Sequence, residues 1–355
     1  MTVSKKQLLN SLKLAMPGIE SGNVVLQGSD TFIFHNGRIF SYNDSIAVSI
    51  PIEQSGLVEE NIEGAIKADE FFKVLSKLPN DEITLELDDN VIIKSGKAKV
   101  EMTLMNFDFE SRLDGIATNE NWIDLSDDFI AGLKCCRIAN NKSPLSGIFV
   151  DGNMILSTDG FQMNEFNIDC DLGEFWISDN SVNELLKMKF KSIQVGENWA
   201  HFLSDDGVIF SIRTLMKGKF PKDKVMSVLD NSNPSEGDLH STFPSEFFSS
   251  VDRAVPFSID ISEHSTVRIK LSKGNIEVSS ERASGKFVEN VPWDDNCGEF
   301  EDIVFYADSN MILSIANRAV EFYLLKGVPR NGRYIPRLLF TTEKSVHLMT
   351  TFDGE

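Results

Sequence analysis

A chain of 355 residues, 41% of them hydrophobic, can bury a large core and divide into two or three domains. Its formal net charge of -20 excludes a uniformly basic nucleic-acid-binding surface, although net charge does not say where individual charges lie. No run reaches the roughly 18–20 apolar residues of a membrane span, MTVSKKQLLN has no apolar signal core, and four cysteines without C-x-x-C spacing read as reduced thiols; a cytoplasmic protein with no membrane association is expected.

The first predicted helix, SKKQLLNSLKLAM, opens at Ser4, a candidate N-cap that forms a capping box with Gln7. FIFHNGRIFSYND follows as an alternating hairpin whose tight turn uses Gly37. A second helix, KADEFFKVLSKL, starts near Asp69, and DEITLELDDNVIIKSGKAKVEMTLM reads as strands. The same order returns from Ser126: helix SDDFIAGLKCCRIAN, hairpin IFVDGNMILSTDG about Gly152, helix SDNSVNELLKM near Asp179, and strands KSIQVGENWAHFLSDDGVIFSIRTLM. Thr103-Leu104-Met105 thereby matches Thr214-Leu215-Met216, each followed by a phenylalanine, Phe109 and Phe220. From Ser245 come SEFFSSVDRAVPF, the hairpin VRIKLSKGNIEVSS about Gly274, ADSNMILSIANRA near Asp308, and RYIPRLLFTTEKSVHLMTTF. The three opening serines are each read as N-caps and lie 122 and 119 residues apart. Such a fixed period marks a repeat architecture. The expected fold class is α+β, three tandem repeats each of two helix-plus-sheet halves, with domains at 1–118, 119–238 and 239–355 and NPSEGD as the second linker.

Signs of catalysis are absent from the pattern. There is no G-x-x-x-x-G-K-[ST], no G-x-G-x-x-G and no G-x-S-x-G between strand and helix. His35, His201, His240, His264 and His347 form no metal-binding spacing, and Asp88-Asp89, Asp205-Asp206 and Asp294-Asp295 read as turn residues. No enzyme activity, cofactor or metal is expected. The segment IRTLMKGKFPKDK stands out instead, with Arg213, Lys217, Lys219, Lys222 and Lys224 against the single acid Asp223. It reads as the last strand and exit of the second repeat; a lysine-rich structural turn and a contact with DNA or a partner are both open. Phe220-Pro221 within it reads as a packing anchor and strand terminator.

Three stretches at consistent spacing within the repeat, LPNDEITLELDDNVIIKSGKAKVEMTL, ILSTDGFQM and LMKGKFP, resemble segments of the bacterial and phage β sliding clamps, the processivity subunit of DNA polymerase III. The resemblance spans essentially the whole chain. It implies a head-to-tail homodimeric ring, helices lining the hole and sheets outside, that encircles double-stranded DNA without reading its sequence and holds polymerase and clamp loader through short linear peptides. A clamp-like protein-binding adaptor that does not encircle DNA is the alternative.

Charge placement can be compared with that expectation. The six helical segments together carry a net +5, so the remainder carries -25. The cations that the ring reading turns toward phosphate are Lys5, Lys6, Lys13, Lys73, Lys77, Lys134, Arg137, Lys142 and Lys187. The resemblance also implies an apolar peptide groove from Leu145, Thr158, Gly160, Phe161, Gln162, Met163, Leu348, Met349 and Phe352, and a dimer contact of Val100 and Met102 against Pro256 and Phe257. The chain departs from the family pattern at this groove: Phe161-Gln162 stand where His-Arg is usual, and MTTFDGE replaces the usual M-P-x-R-L ending.

Overall fold

Helix Lys5–Ala15 begins where a hydroxyl is available, for Ser4 Oγ accepts the Gln7 amide at 3.3 Å. Gln7 does not complete the predicted box; its Nε2 donates to the Gln54 carbonyl at 3.3 Å. Leu8, Ser11, Leu12 and Ala15 form the buried stripe that helical periodicity requires. The computed structural model describes residues 1–22, 24, 26–57, 62–87, 90–138, 143–261, 264–294, 297–316, 321–327, 329–330 and 333–352.

The other two opening serines do not cap. Ser245 is the first residue of helix Ser245–Ala254, extended Pro244 occupies the cap position, and Ser245 Oγ donates to Glu246 instead. Helix Phe129–Cys136 starts later than Ser126, whose hydroxyl donates to the nearby Asp128 carboxylate. In both cases a neighbouring acid takes the hydroxyl that capping would have used.

The three aligned aspartates also differ in role. Asp69 sits in the first turn of helix Ala68–Lys77 and pairs with Lys73 one turn on. Asp179 opens helix Asp179–Leu185, which Ser178 caps by accepting the Ser181 amide at 3.3 Å. Asp308 is itself the cap of helix Ser309–Ser314, its Oδ1 accepting the amides of Asn310 and Met311 at 2.8 and 3.0 Å. Hairpin glycines Gly37, Gly152 and Gly274 have φ of 68°, 62° and 73°, as their turns demand. Two helices escaped the reading, Glu110–Asp114 and Lys222–Asp230. The second starts within the basic segment, so Lys222 and Lys224 belong to a helix rather than to a strand exit.

The chain separates into two compact units. One comprises Met1–Phe129, Val150–Gly152 and Cys170–Lys217; the other comprises Ile130–Phe149, Asn153–Asp169 and Gly218–Glu355. In the first, an 8-stranded antiparallel sheet runs Gly64–Lys67, Thr31–His35, Arg38–Tyr42, Ile46–Pro51, Ile209–Arg213, Trp199–Leu203, Ser192–Val195 and Ile123–Asp124. Its central seam joins strands distant in sequence, with Val48 opposite Phe210. A 4-stranded sheet in the same unit ends on the edge strand Ala98–Thr103.

The second unit repeats the device. Gln162–Asn167 pairs with Ser345–Thr350, which pairs in turn with Arg337–Thr341. Its other sheet places His264–Ser272 beside Asn275–Arg282 and ends on the edge strand Gly285–Pro292. The core between layers is aromatic: Phe243 stacks on Phe322 at 3.9 Å and on Phe247 at 4.2 Å, all three buried.

A buried histidine makes the first unit sensitive to acid. His201 is 4% exposed, its Nδ1 lies 2.8 Å from Ser211 Oγ, and burial lowers its pKa to about 4. Below its ordinary value of about 6.5 the unfolded chain binds a proton that the folded chain refuses, so stability falls as pH drops from about 6.5 to about 4 and levels off below. Urea denaturation across this range should show a loss of about 3 kcal/mol that His201→Gln removes.

Candidate partner groove and nucleic-acid interface

The T-D-G-F-Q-M turn is tied internally by side chains. Asp159 Oδ1 accepts the amides of Phe161 and Gln162, both at 2.9 Å, and Gln162 Nε2 returns to Asp159 Oδ2 at 3.2 Å. Thr158 Oγ1 accepts the Gly160 amide at 3.1 Å and donates to the Gln162 carbonyl at 2.9 Å. With Gly160 at φ 94°, this turn turns Phe161 outward, where it is 38% exposed. The backbone of Phe161 is nevertheless held: its carbonyl accepts from both the amide and Oγ1 of Thr350, at 2.9 and 3.0 Å.

Strand pairing then brings the rest of the predicted groove alongside, with Gln162 opposite Met349 and Met163 opposite Leu348. Phe352 is fixed by two backbone hydrogen bonds with Tyr306, at 2.7 and 3.2 Å. The Phe161 ring centroid lies 4.2 Å from that of His264 and 6.0 Å from that of Phe352. His264 Nδ1 lies 3.0 Å from Asp308 Oδ2, so the helix cap also anchors the imidazole. Leu145 is half-buried on a loop that Ser143 hangs from the Asp159 carbonyl at 3.4 Å.

These residues divide by accessibility. Gly160 and Phe161 are exposed and Leu145, Met163 and Phe352 half-buried, so these can meet a ligand; Thr158, Gln162, Leu348 and Met349 are buried and support them. Met349 packs in the hydrophobic core with Phe340 and Leu338. His264 and Asp308 were not anticipated, because a scattered histidine carries no spacing signal and Asp308 read only as a helix start.

Among the predicted phosphate-facing cations, Lys6, Lys13, Lys77 and Lys134 are exposed and form no ion pair among the described residues. Lys73 is exposed but bonded to Asp69 on its own helix, and Lys187, in the turn just past the end of helix Asp179–Leu185 rather than on the longer helix expected, is exposed but bonded to Glu184. Lys5 is committed differently: its Nζ donates to the Leu78 carbonyl at 2.7 Å, closing the end of helix Ala68–Lys77. Arg137 is half-buried, and Lys142 lies outside the described residues. Lys13 and Lys187 meet in the first unit across a cleft of about 640 Å³ whose floor includes Met16, Pro17, Asn180 and Asn183. In the basic segment, Phe220 stacks flat on Phe149, centroids 4.5 Å apart, and is 6% exposed, a packing anchor as read.

The predicted interface residues fall on two separate edges. Val100 and Met102 are half-buried on edge strand Ala98–Thr103. Pro256 is exposed and Phe257 half-buried in the turn Val255–Phe257, with the Phe257 ring so close to Gly285 that an added Cβ would sit 2.8 Å away. Among the described residues no group of three or more His, Cys, Asp or Glu side chains could hold a metal, and no helix is long and apolar enough to cross a membrane.

No protein-family model matches the sequence, and a search of curated protein sequences finds no match. Solved structures do match. A DNA polymerase III β chain from Streptococcus pneumoniae superposes with a TM-score of 0.78 at 15% identity, covering 99% of each chain. A sliding clamp from Bartonella birtlesii bound to griselimycin gives 0.77 at 18%, and the Helicobacter pylori β clamp bound to a DNA ligase peptide gives 0.75 at 16%, each again covering 99% of both chains. At this distance the similarity is one of architecture, and over essentially its whole length the chain has the fold of the DNA polymerase III β sliding clamps.

Proposed function

We propose that this chain is a non-catalytic processivity factor: a head-to-tail homodimer of six domains, divided near residues 118 and 238, that closes around duplex DNA and tethers a replicative polymerase. The full-length match to sliding clamps carries the reading. Two observations support it locally. Exposed, unpaired lysines sit on helices in an otherwise acidic chain, an arrangement that attracts phosphate without fixing it. An outward-facing aromatic, Phe161, stands on a rigid turn beside half-buried Met163 and Phe352, a surface on which a partner's apolar anchor can rest. One structure with this fold, from Helicobacter pylori, holds a ligase peptide. Clamp loader and polymerase would engage the same groove here.

The first test is absolute mass by sedimentation across a wide concentration range. A particle of twice 39.7 kDa that persists on dilution, and that a loader leaves on nicked circular DNA but which slides off once the circle is cut, meets the proposal. A monomer throughout, or equal loss from circle and line, selects the protein-binding adaptor. Phe161→Ala should weaken capture of a polymerase tail peptide about tenfold, read by fluorescence anisotropy, and leave the particle mass unchanged.

A further inference from the structure

One face of the first unit's large sheet holds a cation that forms no ion pair among the described residues. Arg38 Nε donates to Ser49 Oγ at 2.6 Å, and Nη2 donates to the carbonyls of Ser49 and Gly207 at 3.1 and 2.8 Å. All of these acceptors are neutral, Arg38 forms no ion pair among the described residues, and Nη1 makes no hydrogen bond there. Burial pulls the Arg38 pKa below the ordinary arginine value, with Glu53 acting in the opposite sense. A guanidinium withdrawn from water normally meets a carboxylate or phosphate.

The space beside it is suited to supply one. Arg38, Ser49 and Ser211 line a cavity of about 390 Å³ to which Phe40, Leu113 and Ile116 add apolar wall and His35, Asn36 and Thr118 further polar groups. That volume lies in the lower part of the roughly 300–1,000 Å³ range of small-molecule sites, which combine apolar walls with a few fixed polar groups. Leu113 lies in helix Glu110–Asp114 and Ile116 just past its end, so the cavity is built from the sheet and from the helical segment that packs on it. Asp114 also lines it and is exposed, and Glu53 lies near enough to act on Arg38. Glu53 acting on Arg38 and Asp114 lining the cavity disfavour a dianion and leave room for a single negative charge.

We propose that this cavity binds a small organic monocarboxylate, its carboxylate on Arg38 Nη1 and the Ser211 side of the floor, its apolar body against Phe40, Leu113 and Ile116. The site shares no lining residue with the groove at Phe161 and does not depend on ring closure.

Calorimetric titration of the full chain with sodium benzoate tests it, with benzamide as the uncharged isostere and inorganic phosphate as the dianionic control. Saturable benzoate binding in the millimolar range, at least tenfold weaker binding of benzamide and phosphate, and loss of benzoate binding in Arg38→Met is the expected result. Should Arg38→Met fail to fold by circular dichroism, Ile116→Trp, which fills the cavity and leaves the cation in place, must abolish benzoate binding in a folded protein. Equal affinity for benzamide, tighter binding of phosphate, undiminished binding in Ile116→Trp, or no saturable heat with benzoate overturns the proposal.

Discussion

Val100→Glu should convert the particle from a dimer to a monomer at micromolar concentration, the largest change expected from any single substitution on the surface. In the proposed ring each of two equivalent contacts pairs the edge strand Ala98–Thr103 of one protomer with the turn Val255–Phe257 of the other. Every protomer carries the substitution, so both contacts bury an unpaired carboxylate at once. At on the order of 3 kcal/mol for each, the dissociation constant rises on the order of 10⁴-fold. Lys99→Glu alters the exposed side of the same strand and should leave the mass unchanged, since neighbouring strand residues face opposite ways. Sedimentation of the two variants beside the parent decides the matter: equal masses for all three would put the interface elsewhere.

Phe243→Ala should be the most damaging change in the interior. Its ring is 1% exposed, lies 3.9 Å from Phe322 at 7° and 4.2 Å from Phe247 at 13°, and reaches Phe248 and Phe340 beyond. Removing it leaves a cavity among side chains from helix Ser245–Ala254 and strands Glu321–Leu325 and Arg337–Thr341, which cannot all close inward. A loss of about 4 kcal/mol is expected from the cavity and transfer terms together, measured as the urea midpoint of the second unit's transition. Phe243→Leu keeps most of the volume and should cost about half as much.

The repeat was legible because helix-plus-hairpin units recur with glycine in the same place, and the structure keeps that order from Gly37 through Gly152 to Gly274. Helix starts were less legible. Ser4, Ser126 and Ser245 look alike in sequence, yet only Ser4 caps, because Asp128 and Glu246 take the other two hydroxyls. Strand partners within hairpins were legible, but partners distant in sequence were not: alternation tells which face of Gln162–Asn167 is buried, not that Ser345–Thr350 lies beside it. The same limit applies to the groove. Thr158, Phe161 and Met163 could be picked from T-D-G-x-x-M, but the place of His264 between Phe161, Phe352 and Asp308 depends on pairings no local pattern encodes. Charge reading was similarly partial, for nothing in KKQLLN distinguishes Lys5, whose ammonium closes a neighbouring helix, from Lys6, which is exposed.

The seam between Ile46–Pro51 and Ile209–Arg213 bears on how the protein is made. Ser49 must wait for Ile209, which a ribosome adds 160 residues later. At roughly 5–20 residues per second the wait is about 10–30 s. Through that interval a strand reading Ile46-Ala47-Val48-Ser49-Ile50, buried in the finished sheet, has an open edge on the nascent chain. Met163 must likewise wait for Leu348. Yield in a cell should therefore respond to translation speed and to chaperones that shield apolar edges, even for a sequence whose finished fold is stable.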